Sequence, residues 1–153
     1  MTTRFALAAS LALAACGKPT VSGGYDASRD AAADIAAAVP KARTEHKRIL
    51  IEVGGNKCSR CASLRRFYLD NPDLAALRDK NFILLSVYAE AGAPVPVGGK
   101  TKYPPPASFP HLYVLDENGT MIVSQAPTEL EKKDVYDREK IEFFLKAFGP
   151  PKH

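Results

Sequence analysis

Two cysteines three residues apart, Cys58 and Cys61, stand between an apolar run and a helical pattern. No other stretch constrains the fold as much. The run before them, residues 49–53 (ILIEV), has the length and β-branched content of a buried strand. After them Leu64, Phe67 and Tyr68 recur at helical spacing. A strand, a short loop, Cys-x-x-Cys and a helix put the first sulfur at a helix N-terminus, where unpaired amides and the helix dipole favour a thiolate. That context separates a redox pair from two stray thiols. Lys57 and Arg60 flank the pair and add positive charge. The pattern therefore predicts an exposed Cys58 with a lowered pKa as nucleophile, and Cys61, one turn inward, as the resolving thiol. The competing readings are a structural disulfide or half of a zinc site. A zinc ribbon needs a second cysteine pair, and the chain has only three cysteines.

The remaining pattern is that of one globular domain. The chain has 153 residues, 46% of them hydrophobic and 25% charged, so a packed core rather than disorder is expected. Its net charge of +4 is modest and spread along the sequence, which argues against a nucleic-acid partner. Residues 26–47 are Ala-rich, with Ile35, Val39 and Ala42 along one side; they read as one helix, or two split near Pro40. A helix is expected over about 58–69, with a restart at Asn71-Pro72 that turns Leu74 and Leu77 inward. Residues 82–88 (FILLSVY) read as a second buried strand, parallel to the first through a right-handed crossover. Residues 89–108 form a long Gly/Pro-rich loop. Its Gly98-Gly99-Lys100-Thr101 lacks the strand-to-helix setting of a phosphate loop. Tyr103 and the prolines beside it read as a stiff loop or the lining of a partner groove. Residues 111–115 and 120–124 then make a hairpin about Asp116-Glu117-Asn118-Gly119. Ile141, Phe144, Leu145 and Phe148 mark a closing helix, with Asp137 as N-cap and Gly149-Pro150-Pro151 as its stop.

The first 15 residues have a short basic start at Arg4 and an Ala/Leu-rich apolar stretch too short to span a bilayer stably. They end in Leu13-Ala14-Ala15 before Cys16, which resembles the bacterial lipoprotein signal. The resemblance implies cleavage before Cys16 and lipidation of that cysteine, whose acyl chains would hold the protein on a membrane. An ordinary secretory leader with a coincidental cysteine is the alternative. Gly17 after the cysteine, where Gram-negative retention uses Asp, implies the outer rather than the inner membrane. Residues 16–25, including GKPTVSGG, read as a flexible tether, 26–149 as the folded domain and 150–153 as a tail. With Cys16 assigned to lipid, only the Cys58/Cys61 pair remains. Export would place that pair in an oxidising compartment such as the periplasm.

The element order (helix, β-α-β, β-hairpin, α) resembles the thioredoxin superfamily over about residues 30–149. The segment GGNKCSRCASLRRFYLDNPDLAALRDKNFILLSV is similar to modules near the C-terminal domain of the bacterial transmembrane thiol–disulfide interchange reductase. The fold class expected is α/β, a central mixed sheet with helices on both faces and an extra N-terminal helix. The resemblance implies that Glu52, six residues before Cys58, is the acid relaying a proton to and from the inner thiol. An acid in an apolar strand is also expected to have a raised pKa. The resemblance further implies a cis bond before Pro110, exposing the backbone of Phe109 to a substrate segment. Phe109, Lys57, Arg60 and His111 are the expected substrate-contacting residues. His111, directly after Pro110, reads as a residue near the sulfurs that tunes the thiolate or, more often for a lone His at a strand start, as a plain surface or packing residue. The chain departs from the family pattern at Lys57, Ser59 and Arg60, where Trp and Gly-Pro are usual. The departures bear on substrate range and redox potential rather than on thiol chemistry.

The expected function is a membrane-anchored thiol–disulfide oxidoreductase of the cell envelope, reducing exported proteins through Cys58 and Cys61. It would be a monomer with no cofactor beyond its own disulfide, with a membrane reductase as its electron donor. Two other readings compete: a metallochaperone carrying copper or zinc on Cys58, Cys61 and His111, and a docking module with an idle cysteine pair.

Overall fold

The computed structural model describes residues 24–89, 103–106 and 108–151. The leader, Cys16, most of the tether and most of the 89–108 loop lie outside the described residues. Helix α1 (Ala31–Glu45) opens the fold. Asp30 caps it, its carboxylate accepting from the amides of Ala32 and Ala33. Pro40 lies inside α1 without splitting it, so residues 26–47 hold one helix rather than two. Strand β1 (Arg48–Gly54) follows, then α2 (Ser59–Asp70), α3 (Pro72–Asn81) and β2 (Phe82–Tyr88). The hairpin strands are β3 (His111–Leu115) and β4 (Met121–Gln125). A 3-10 turn at Pro127–Leu130 leads into a two-residue ribbon, β5 (Glu131–Lys132) and β6 (Val135–Tyr136), that the sequence pattern did not announce. Helix α4 (Arg138–Ala147) closes the chain, with Asp137 accepting from the Lys140 amide as its N-cap.

The main sheet runs β2-β1-β3-β4. β1 is parallel to β2 and antiparallel to β3, which is antiparallel to β4. The parallel β-α-β unit and mixed sheet are those expected from the order of apolar runs. Alternation along β1 divides the core. Ile49, Ile51 and Val53 pack with Ala38 and Ala42 of α1. Leu50 packs with Leu64 and Tyr68 of α2, Leu74 of α3 and Phe144 of α4. Glu52 and Gly54 share the period of Leu50, so they point to the α2 side.

The folded domain takes in a residue expected to lie ahead of it. Tyr25 is only 3% exposed. Its amide donates to Asn56 Oδ1 at 2.9 Å, and Asn56 Nδ2 donates to its carbonyl at 2.7 Å. An aromatic ring has apolar area to bury, and this clamp holds it in place. Tyr25 therefore belongs to the folded domain.

Candidate active site

The end of β1, the turn at 55–57 and the start of α2 place the two sulfurs. Cys58 is the N-cap of α2, in extended backbone geometry, and its Sγ accepts from the Cys61 amide at 3.1 Å. Ser, Thr, Asp or Asn usually fills this position with an oxygen acceptor; here a sulfur does. Cys58 and Cys61 form a disulfide with Cα atoms 5.2 Å apart. Cys58 is half-buried at the rim, whereas Cys61 is 1% exposed. Of the two sulfurs, the first is therefore the more accessible to a partner.

Glu52 is buried. Burial pushes its carboxyl above the ordinary range of a glutamate, while the hydrogen bond from Tyr25 and the positive charges of Arg78 and Arg65 pull it back. The hydroxyl of Tyr25 donates to Glu52 Oε1 at 2.6 Å.

The Phe109–Pro110 bond is cis, as the resemblance implied. A cavity of about 530 Å³ lies beside Cys58, with Lys57, Asn56, Tyr25, Tyr88 and Phe109 in its wall. Lys57 and Phe109 thus share one cleft with the outer sulfur.

Arg60 and His111 do not line that cleft. Arg60 Nη2 lies 3.5 Å from both Glu131 and Asp134. Its positive charge is paired to the β5–β6 ribbon rather than left beside the Cys58 sulfur. His111 is 4% exposed. Its Nε2 is hydrogen-bonded with Ser124 Oγ at 2.7 Å, and its ring packs 4.6 Å from that of Tyr113. A surface role in substrate contact is corrected to a packing role, because the strand start is covered. Among the described residues no three His, Cys, Asp or Glu side chains are gathered to hold a metal ion. The set Cys58, Cys61 and His111 is therefore not assembled as a metal site. Tyr103 stacks on Tyr113, whose hydroxyl donates to the Pro104 carbonyl at 2.6 Å. The end of the long loop is pinned to the α1 side of the core instead of lining a groove.

A family model described as thioredoxin-like matches residues 30–116. The chain belongs to the thioredoxin-like family. A crystal structure of a disulphide isomerase from Xylella fastidiosa Temecula1 has a TM-score of 0.60 to it. That match covers 80% of this chain and 94% of the other at 20% identity, a likeness of fold. No curated protein matches the chain. A thioredoxin-like fold with a Cys-x-x-Cys disulfide at the head of α2, its outer sulfur accessible, makes this family member a thiol–disulfide oxidoreductase.

The sequence reading missed Tyr25, Asn56 and Tyr88 at the site, and the ribbon that binds Arg60. Tyr25 carried a signal: it is the first aromatic residue after a run of small and polar ones.

Proposed function

We propose that the protein is a lipid-anchored reductase of disulfides in exported proteins, working at the bacterial cell envelope. The observation that carries the reductive reading is the buried Glu52, bonded to the Tyr25 hydroxyl that lies with the Cys61 sulfur against Gly54. A buried carboxylate, whose affinity for a proton is raised by burial, can take the Cys61 proton as that sulfur attacks and return it when the pair is re-reduced. In the forward reaction the Cys58 thiolate attacks a substrate disulfide and one substrate thiol leaves. Cys61 then attacks Cys58 Sγ, closing the 58–61 disulfide and releasing the second substrate thiol. Two electrons pass from the dithiol to the substrate. In an oxidising compartment the dithiol must be regenerated, so a membrane reductase is the electron donor this reading requires. The Leu13-Ala14-Ala15-Cys16 leader supports the anchor, and Gly17 after it supports the outer-membrane placement. The partners are protein thiols and disulfides, met by a monomer.

The test is a trap. Cys61→Ala in the native host should accumulate mixed disulfides through Cys58, and a Cys58→Ser, Cys61→Ala chain should accumulate none. Absence of trapped partners together with absence of disulfide turnover by the wild type would sink the reading. Lipid labelling of the wild type that persists in Cys16→Ser would remove the anchor assigned to Cys16.

A further inference from the structure

Gly54 marks where Cys61 of α2 and Tyr25, from ahead of α1, meet beside β1. A Cβ on Gly54 would lie 2.6 Å from Cys61 Sγ and 2.8 Å from the Tyr25 hydroxyl oxygen. The inner sulfur and the phenol thus crowd the space left by a missing side chain. The same hydroxyl donates to Glu52 Oε1 at 2.6 Å. Tyr25 is buried, and Asn56, two residues before Cys58, clamps its backbone on both sides. Tyr25 also precedes the residues that the thioredoxin-like family model matches.

We propose that Tyr25 is the proton-relay residue between Cys61 and Glu52. This rests on the thiol–disulfide reading above and assigns a step within it. As Cys61 attacks the mixed disulfide, its S–H proton passes to the Tyr25 oxygen while the Tyr25 O–H proton passes to the Glu52 carboxylate. The Cys61–Cys58 bond forms, the bond from Cys58 to the substrate sulfur breaks, and the electron pair leaves on that sulfur, which takes a proton from water. Tyr25 ends as it began, a neutral phenol. Burial and the neighbouring carboxylate disfavour its phenolate, so the two transfers must be concerted. A tyrosine suits the task because one hydroxyl both donates and accepts.

The experiment uses the reduced full-length chain mixed with an aromatic disulfide whose released thiolate absorbs visible light. Attack by Cys58 releases one thiolate and resolution by Cys61 a second, so each step has its own phase. In Tyr25→Phe the first phase should keep its rate. The second should slow about a hundredfold near neutral pH, the lower side of general acid–base effects. The defect should close at high pH, where hydroxide ionises Cys61 directly. Glu52→Gln should show the same pattern, and the double variant should be no slower than Glu52→Gln alone, since both residues act in one chain. A second phase in Tyr25→Phe equal to wild type, or additive defects in the double variant, would overturn the relay. Slowing of both phases at every pH would mark Tyr25 as structural only. A wild type with no second phase would instead defeat the oxidoreductase reading, and the relay with it. Should Tyr25→Phe not fold, a Glu52→Gln second phase at the wild-type rate overturns the relay by itself.

Discussion

The Tyr25 hydroxyl donates to Glu52 Oε1 at 2.6 Å, tying the segment ahead of α1 to the middle of β1. The buried carboxyl at the other end of this bond has consequences for stability. Its folded pKa lies above the ordinary 4.5, with burial the main cause. The fold therefore prefers the protonated acid, whereas the unfolded chain ionises at lower pH. Stability from this group is complete below about pH 4.5 and is lost as pH rises through the folded pKa. Glu52→Gln is expected to be more stable than wild type near pH 8, with the gain fading towards pH 4. Denaturant melts at both pH values check it. A gain of the same size at both would show that ionisation of Glu52 is not its source.

Gly54 is required where it stands. An added Cβ would meet Cys61 Sγ at 2.6 Å and the Tyr25 hydroxyl at 2.8 Å. Neither is the free end of a flexible chain, because the sulfur is in a disulfide and the hydroxyl is bonded to Glu52. Gly54→Ala should cost about 1–3 kcal/mol, the usual range for overpacking a tight core. Equilibrium unfolding of the oxidised protein measures this, and a change under 0.5 kcal/mol or so would mean that the site relaxes easily.

Arg60 should matter less to the sulfur than its position in the motif suggests. Its guanidinium is shared between Glu131 and Asp134 at 3.5 Å. Asp134 is exposed, and pairs of this kind contribute about 0–1 kcal/mol. Glu131, by contrast, is buried, so Arg60→Ser takes the cation from a buried carboxylate and should cost about 1–3 kcal/mol. It should leave the rate of Cys58 alkylation within about threefold of wild type, since the helix N-terminus remains. A tenfold drop in alkylation would show that the charge acts on the sulfur after all.

Local pattern made much of this fold legible. The strands at β1 and β2 carry apolar runs, α4 has a cap and an apolar face, and the Cys-x-x-Cys sits at the junction between strand and helix. Glu52 could be recognised because a charge interrupts an otherwise apolar strand. The unread features depend on partners distant in sequence. Tyr25 follows a run of small residues, and its burial rests on Asn56 and Glu52, which are 31 and 27 positions away. Arg60 looks like a cation beside a thiol until the ribbon 74 positions on supplies Asp134. Pro40 reads as a break, yet α1 continues through it because Ala38 and Ala42 are held against the sheet. Spacing conveys what a residue can do locally; it does not say which remote carboxylate will reach it first.

His111 provides a pH response opposite in sign to that of Glu52. Its ring is buried, Nε2 is hydrogen-bonded with Ser124 at 2.7 Å, and Nδ1 has no partner among the described residues. Burial holds its pKa below the ordinary 6.5, with the charge of Glu129 pulling weakly the other way. The fold keeps the imidazole neutral, and the unfolded chain takes up a proton first as pH falls. The stability it contributes is present above about pH 6.5 and is lost as pH falls through the folded pKa. His111→Asn should therefore flatten the loss of stability between about pH 6.5 and 5, although it weakens the fold at neutral pH by removing the ring from Tyr113. Ser124→Ala leaves Nε2 without its partner as well, and should cost about 1–3 kcal/mol at neutral pH, the range for an unsatisfied buried polar group. Melts of the three proteins from pH 5 to 8 check both effects. An unchanged acid slope in His111→Asn would assign that slope to other groups.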